Sequence, residues 1–166
     1  MQKYPDYYVL REVPSSLLDY LKNARPAVSS SEAPGHREVC RQIKESPSVI
    51  GLEKHIELFE RRRFVNQHRR TISCHDFIGF YNGRYTVIEV GTSRRANQQL
   101  RCAFKIFAMN FDICPALIRV KYGEKGFTHH GIENARKDYD ALMKLGQNSY
   151  LPGMKRPEFK GCCIWT

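Results

Sequence analysis

Two strand-like runs on either side of an Asn-Gly dipeptide form the clearest pattern along this chain. Residues 71–81 and 84–91 are rich in Ile, Val, Phe and Tyr, and Asn82-Gly83 lies between them. Asn-Gly at such a place favours a two-residue type I′ turn, because both central residues of that turn need positive φ. The sequence therefore predicts a β-hairpin.

The spacing of apolar residues predicts the elements around this hairpin. Helices are expected over 11–24, 36–45, 52–63, 94–109 and 131–145. A buried strand is expected over 115–122, and 61–69 is a further candidate strand. The Pro- and Ser-rich residues 25–35 predict a loop. Together these elements predict an α/β (α+β) fold, in which helices flank a central mixed four-stranded sheet.

The predicted turn also fixes which residues of the hairpin face each other. Counting outward from it, Tyr81 faces Arg84 and Asp76 faces Glu89. Directly opposed side chains have Cβ atoms about 4.5–5.5 Å apart, and like charges there are destabilising. Two carboxylates within apolar runs need a cation, a shared proton or basic partners. Mg²⁺ would meet that need with oxygen ligands; the alternative is that both acids face solvent beside Arg or Lys.

The charge of the chain suggests a polyanionic partner. It has 27 Lys and Arg against 17 Asp and Glu, a formal net charge of +10. Such a field attracts nucleic acid, although some proteins are simply basic. The arginines occur in runs, and these are the predicted nucleic-acid contacts: Arg61, Arg62, Arg63, Arg69, Arg70, Arg94 and Arg95.

The apolar and cysteine patterns indicate a compartment. No run approaches the ~20 apolar residues that cross a bilayer, so no membrane partner is expected. The six cysteines form no disulfide framework, which favours a cytoplasmic, reducing location. A zinc-binding interaction module stays open as an alternative. It would draw on Cys40, Cys74, His75, His129, His130, Cys162 or Cys163, although the adjacent Cys74 and His75 would point to opposite faces of a strand.

The stretch from His75 to Gly91 resembles the PD-(D/E)xK nuclease superfamily. That family has a core of helix, three strands, helix and strand, with an Asp before the hairpin and Glu-x-Lys after it. Asp76 and Glu89 match its acids, and the stretch is similar to archaeal Holliday-junction resolvases. The chain would be a divergent member, since Gly91 stands in the place of the lysine.

This resemblance implies a division of the chain and a fold. A restriction-endonuclease-like, nuclease-like core is expected over 51–147. Residues 1–50 would form an N-terminal helical extension with a linker, and 148–166 an irregular tail. Because the resolvases are dimers, a homodimer is a further expectation.

The resemblance also implies site residues and an activity. Asp76, Glu89 and Glu53 would bind Mg²⁺ or Mn²⁺ with the backbone carbonyl of Val90, and Glu57 is the alternative to Glu53. Gln98 or Gln99 would match the polar residue of the following helix, with Gln98 expected to contact nucleic acid. Lys105 would replace the missing lysine, as a lysine of the following helix does in viral cap-snatching endonucleases. The implied activity is hydrolysis of phosphodiester bonds, in DNA rather than RNA. The alternative, favoured by Gly91, is an inactive nucleic-acid-binding protein on the same scaffold.

Overall fold

The structure is a computed structural model that describes residues 7–12, 15–27, 34–91, 94–123 and 126–129. Its helices are α1 (Leu17–Asn23), α2 (Pro34–Glu45) and α3 (Arg94–Phe111), and a 3₁₀ turn spans Pro47–Ile50. Its strands are β1 (Glu57–Glu60), β2 (Arg63–Val65), β3 (Thr71–Cys74), β4 (Phe77–Tyr81), β5 (Arg84–Val90), β6 (Ala116–Gly123) and β7 (Gly126–His129).

A mixed sheet forms the centre of the fold, as predicted. Its order is β1-β4-β5-β6-β7. β5 and β6 are parallel and are joined through α3, whereas the other neighbours are antiparallel. The sheet has five strands: β1, β4, β5 and β6 form a four-stranded mixed sheet, and β7 adds a fifth strand at one edge. β2 and β3 form a separate two-stranded sheet.

The predicted hairpin is confirmed in type and register. Tyr81 pairs with Arg84 and Phe77 with Ile88. The turn residues Asn82 and Gly83 have φ of 49° and 75°. This register places Asp76, immediately before β4, opposite Glu89 in β5.

Helices cover both faces of the sheet because alternate strand residues point in opposite directions. On one face, Ile78 and Val87 pack with Phe104 of α3 and with Leu21 of α1. On the other face, Val39 and Ile43 of α2 pack with Phe77, Ile88 and Ile118 of the sheet. α1 and α2 lie within residues 1–50, the predicted extension, so this segment contributes to the same core as the sheet.

The helix predicted over 52–63 is wrong. Residues 57–60 form the edge strand β1, and the strand candidate over 61–69 shortens to β2, outside the main sheet. Pairing with β4 outweighs the helical spacing of Leu52, Ile56 and Phe59. Gly79 allows this close pairing, because a Cβ added there would lie only 2.6 Å from Cδ1 of Ile56, which is too close for two carbon atoms.

The other predicted elements have mixed outcomes. Helices over 36–45 and 94–109 and the strand over 115–122 are confirmed as α2, α3 and β6. The predicted helix over 131–145 and the tail over 148–166 lie outside the described residues. Among the described residues, none of the helices has the length and apolar character needed to cross a membrane.

Candidate metal centre at the end of the hairpin

Asp76 and Glu89 meet where the β4–β5 hairpin opens. Their side chains are 12% and 7% exposed. Asp76 Oδ2 accepts a hydrogen bond of 2.8 Å from the backbone N–H of Val90. The two carboxyl groups are also hydrogen-bonded to each other. The structure therefore brings together the two acids that the hairpin register pairs.

The surroundings shift the pKa values of the two acids in opposite directions. Burial, the charge of Asp76 and a hydrogen bond with it hold the pKa of Glu89 well above its usual range. Burial also acts to raise the pKa of Asp76, but hydrogen bonds from His36 and the Val90 amide outweigh it and lower that pKa. Of the two acids, Glu89 is therefore the one that keeps its proton to the higher pH when no cation is bound.

A chain of hydrogen bonds links Ser73 and His75 to Glu89. His75 is fully buried, with Nδ1 2.7 Å from Glu89 Oε1 and Nε2 2.7 Å from Ser73 Oγ. Burial lowers the pKa of His75 to about 4, against the opposing effect of Asp76, so the ring is neutral. A neutral imidazole has one N–H. One ring nitrogen therefore donates and the other accepts, and because Oε1 of Glu89 is engaged with His75, Oε2 is left for Asp76 or a cation.

Helix α2 adds a nitrogen and a sulfur donor to this carboxylate site. His36 and Cys40 lie four residues apart, so they share one face of α2. His36 Nε2 lies 3.3 Å from Asp76 Oδ1, and Cys40 Sγ lies 3.7 Å from His36 Nδ1. Burial and the charges of Asp76, Glu60 and Glu89 raise the pKa of the Cys40 thiol. The sequence analysis named Cys40 only in the zinc-binding alternative and missed His36, although their His-x₃-Cys spacing on a predicted helix is typical of a pair of metal ligands.

Glu53 is not brought to the acid pair. It lies on an exposed turn before β1 and not on a helix. β1 runs antiparallel to β4, with Glu57 opposite Phe80 and Glu60 opposite Phe77. Glu60 therefore lies at the end of β1 that is near Asp76. Glu53 precedes the other end of the strand. The expectation of Glu53 as a third metal ligand loses its support.

Lys105 also lies away from the acids. Its ammonium group is 4.8 Å from the centroid of the Tyr8 ring. Phe107, two residues further along α3, contacts the ring of Tyr85 at the start of β5. Glu89 is four residues beyond Tyr85, ~13 Å along the strand. This placement argues against Lys105 as the replacement for the lysine lost at Gly91.

A nearer cation is Arg119 of β6. It is the register partner of Glu89 on the neighbouring parallel strand. Its guanidinium donates a hydrogen bond of 2.9 Å to Asn97 Oδ1, which lies near the start of α3. Arg119 is therefore tied to the end of α3 that follows the acid pair.

The predicted arginine contacts lie at different distances from the acids. Arg61 is adjacent to them, since its backbone N–H donates to the carbonyl oxygen of Asp76 at 3.2 Å. Arg62 lies over the ring of Phe59. The remaining predicted contacts with described side chains are exposed: Arg63, Arg69, Arg70, Arg95 and Gln98. Arg94 is the first residue of α3.

A cleft with basic walls lies beside the acid pair. It encloses about 460 Å³, and Cys40 forms part of its wall. Its cationic lining residues are Arg37, Arg41, Lys44 and Arg61. Arg41 is paired with Glu38 and Glu45, and Lys44 with Glu60, so part of this charge is neutralised. The sequence analysis missed the three cations of α2, because single charges on a helix are common on solvated faces.

Comparison with known proteins supplies no relative. No protein family matches the chain, and no curated protein or solved structure is similar to it. The function is therefore inferred from the geometry of the site.

Proposed function

We propose that this chain is a metal-dependent nuclease that hydrolyses phosphodiester bonds of nucleic acid, with DNA as the preferred substrate. The pairing of Asp76 with Glu89 carries the proposal. Two nearly buried carboxyl groups meet at the end of a hairpin, and Glu89, whose pKa is raised, keeps its proton to a higher pH than an ordinary glutamate does. A divalent cation would replace that proton and stabilise both charges.

The order of elements supports the same proposal. α2, β1, β4, β5, α3 and β6 follow the order helix, three strands, helix, strand of the PD-(D/E)xK superfamily, with the β2–β3 pair inserted after the first strand. The helices lie on both faces of the sheet. We therefore include a restriction-endonuclease-like core in the proposal.

The donor atoms fit a hard cation. Asp76, the second oxygen of Glu89 and the carbonyl of Val90 would offer oxygen ligands to Mg²⁺ or Mn²⁺. The ion, when bound, would lower the pKa of a coordinated water and offset charge on the phosphate. The chain keeps these donors oriented, since His75 holds Glu89 and the Val90 amide holds Asp76.

The cleft supplies a path for the substrate backbone. Arg37 and Arg61 line it within the same region as Cys40, which neighbours His36 and Asp76. Contacts with phosphates position a strand without reading its sequence. Arg69 and Arg70, exposed in the turn between β2 and β3, are further candidates for such contacts.

A second candidate function is nucleic-acid binding without cleavage. Gly91 has no side chain, and Lys105 lies over Tyr8, so neither provides the ammonium group of Glu-x-Lys. That group normally helps to activate the attacking water. A protein with this acid pair but no such cation could bind metal and DNA and cut slowly or not at all.

A cleavage assay separates the two functions. Linear duplex, single-stranded and branched DNA, and RNA, are incubated with wild type, Glu89→Gln and Glu57→Gln, with Mg²⁺, Mn²⁺ or EDTA. Glu57 is an exposed glutamate of β1 and serves as the matched control. We expect wild type and Glu57→Gln to cut with metal only, and Glu89→Gln to bind DNA without cutting. Binding without cleavage by wild type would favour the second function, and equal cutting by Glu89→Gln would refute the first.

A further inference from the structure

The α2 side of the acid site carries donors that a hard cation does not need. His36 offers a ring nitrogen, Cys40 a thiol and Asp76 a carboxylate oxygen, and one atom of each lies within 4.8 Å of the others. Cysteine, histidine and aspartate are the ligands that Zn²⁺ takes in proteins, whereas Mg²⁺ takes oxygen ligands. The donor set therefore matches a thiophilic ion.

The spacing of these atoms is close to that of a zinc site. Zinc–ligand bonds of about 2.0–2.3 Å in a tetrahedron place the ligand atoms roughly 3.3–3.8 Å apart. Here His36 Nε2 lies 3.3 Å from Asp76 Oδ1, and His36 Nδ1 lies 3.7 Å from Cys40 Sγ. His36 now faces Asp76 through one ring nitrogen and Cys40 through the other, so the ring must turn to present one nitrogen to an ion. No separation needs to shorten by more than about 1 Å, since the three ligand atoms all lie within 4.8 Å of one another.

We propose that His36, Cys40 and Asp76 bind Zn²⁺, and that zinc bound there inhibits the proposed nuclease. The inhibition follows because zinc would withdraw Asp76 from the oxygen site that it forms with Glu89. Binding would release the thiol proton to solvent. One thiolate and one carboxylate then balance the charge of the ion, which suits a site with little solvent access. The inhibition rests on the proposed function, whereas the zinc binding does not.

Zinc binding is tested on the metal-free full chain. Zn²⁺ is titrated against a chromophoric chelator, and Co²⁺ is substituted to look for the charge-transfer absorption of a thiolate ligand. Cys40→Ser and Cys40→Ala are compared with Cys74→Ser. Cys74 is a matched control, since it is a half-buried free cysteine whose thiol contacts the Arg61 carbonyl instead of the cluster.

We expect one bound zinc per chain and a thiolate band with cobalt. Both Cys40 variants should lose the band and bind zinc at least ~100-fold more weakly. Substituting a residue that only orients a metal ligand already costs about 10–100-fold in affinity. Cys74→Ser should behave as wild type. Unchanged zinc affinity in the Cys40 variants, or loss of zinc in Cys74→Ser, would overturn the proposal.

Inhibition is measured separately, as the effect of zinc on each variant relative to its own zinc-free rate with Mn²⁺. We expect zinc to inhibit wild type and Cys74→Ser at concentrations at least tenfold below those that inhibit Cys40→Ser. Equal inhibition of all three would overturn the regulatory part. If wild type binds zinc but never cuts with Mn²⁺, the nuclease proposal fails, and the zinc site is still decided by the binding data.

Discussion

At the residue scale, the acid pair shows how surroundings separate two similar side chains. Asp76 accepts from the Val90 amide and lies beside His36, whereas Glu89 is more deeply buried and has a single donor in His75. The carboxylate with more donors keeps its charge, and the other keeps its proton. Metal binding must displace that proton, so we expect metal affinity to rise with pH.

Glu89→Gln should stabilise the metal-free protein at high pH. The folded pKa of Glu89 is raised above its usual value of 4.5, so the stability contributed by its protonated form is present below that value and is lost as the pH rises through the folded pKa. Glutamine does not titrate and can still accept from His75. We expect the melting temperature of Glu89→Gln to exceed that of wild type near pH 8 and to match it near pH 5.

The matched control is Glu57→Gln, because Glu57 is exposed on β1. Because the pKa of His75 is lowered to about 4, its ring in the folded protein stays neutral across this pH range, and its contribution cancels in the comparison. Melting curves in EDTA across this pH range provide the measurement. A stabilisation of Glu89→Gln that is equal at both ends of the range would contradict the raised pKa.

Ser73→Ala should weaken both the fold and the metal site. It leaves Nε2 of the fully buried His75 without its hydrogen-bond partner, and an unsatisfied buried group costs about 1–3 kcal/mol. Because His75 orients Glu89, Mn²⁺ affinity should also fall, by ~10–100-fold. Denaturant unfolding and Mn²⁺ titration measure the two effects.

Ser48→Ala is the control for Ser73→Ala, since Ser48 is exposed after α2. Its stability should stay within about 0.5 kcal/mol of wild type. If Ser73→Ala lowers stability but leaves Mn²⁺ affinity unchanged, the network supports the core alone and does not position Glu89.

At the scale of elements, the sequence predicts what local chemistry determines. The hairpin depends on two turn residues with positive φ and on a period of two in its strands, and both are visible in the chain. α3 and β6 carry long apolar patterns. β1 has only four residues and gains its stability from pairing with β4, more than fifteen positions away in sequence, so its helical spacing was misleading.

The candidate site likewise contains residues that the local sequence predicts and residues that only tertiary packing brings together. Asp76 and Glu89 follow from the register of one hairpin. His36 and Cys40 reach them only because α2 packs on the face of Phe77 and Ile88, which is a tertiary contact. The site expectations that lose support do so for a related reason: Glu53 was assigned to a helix that does not form, and the direction of α3 carries Lys105 away from Glu89.

Gly91→Lys should increase metal-dependent cleavage. Gly91 continues β5, since its N–H donates to the Val120 carbonyl, so its side chain would point to the same face as that of Glu89. A Cβ added there would lie at an ordinary 3.5 Å from that of Ala96, and φ lies outside the left-handed region. A positioned ammonium group contributes about 10²-fold or more to the rate. We expect a gain of at least tenfold, since the introduced lysine has no evolved support.

Gly91→Ala is the matched control, because it adds the same Cβ without the charge. Initial rates with Mn²⁺ at saturating DNA provide the comparison. Equal rates for the lysine and alanine variants would show that the missing ammonium group does not limit the reaction. Equal melting temperatures establish that both variants fold.

At the scale of the whole molecule, charge and shape act on the same substrate. The formal net charge of +10 attracts a polyanion from any direction. The cleft lined by Arg37, Arg41, Lys44 and Arg61 would then select one path, which passes the acid pair. A long-range field depends on the number of charges, whereas a path depends on where they lie, so single substitutions separate the two.

Arg37→Ala should weaken DNA binding more than Arg84→Ala does. Both side chains are exposed, and both substitutions lower the net charge equally, so the long-range field changes by the same amount. Arg37 lines the cleft. Arg84 lies at the turn of the hairpin, at the end of β5 that is farther from Glu89. Removing one phosphate contact lowers the slope of log affinity against log salt by about 1. We expect that loss for Arg37→Ala and an unchanged slope for Arg84→Ala, measured by fluorescence anisotropy with Glu89→Gln as the background to prevent cleavage. If both variants lose affinity equally, the whole surface binds DNA, and the cleft has no special part in it.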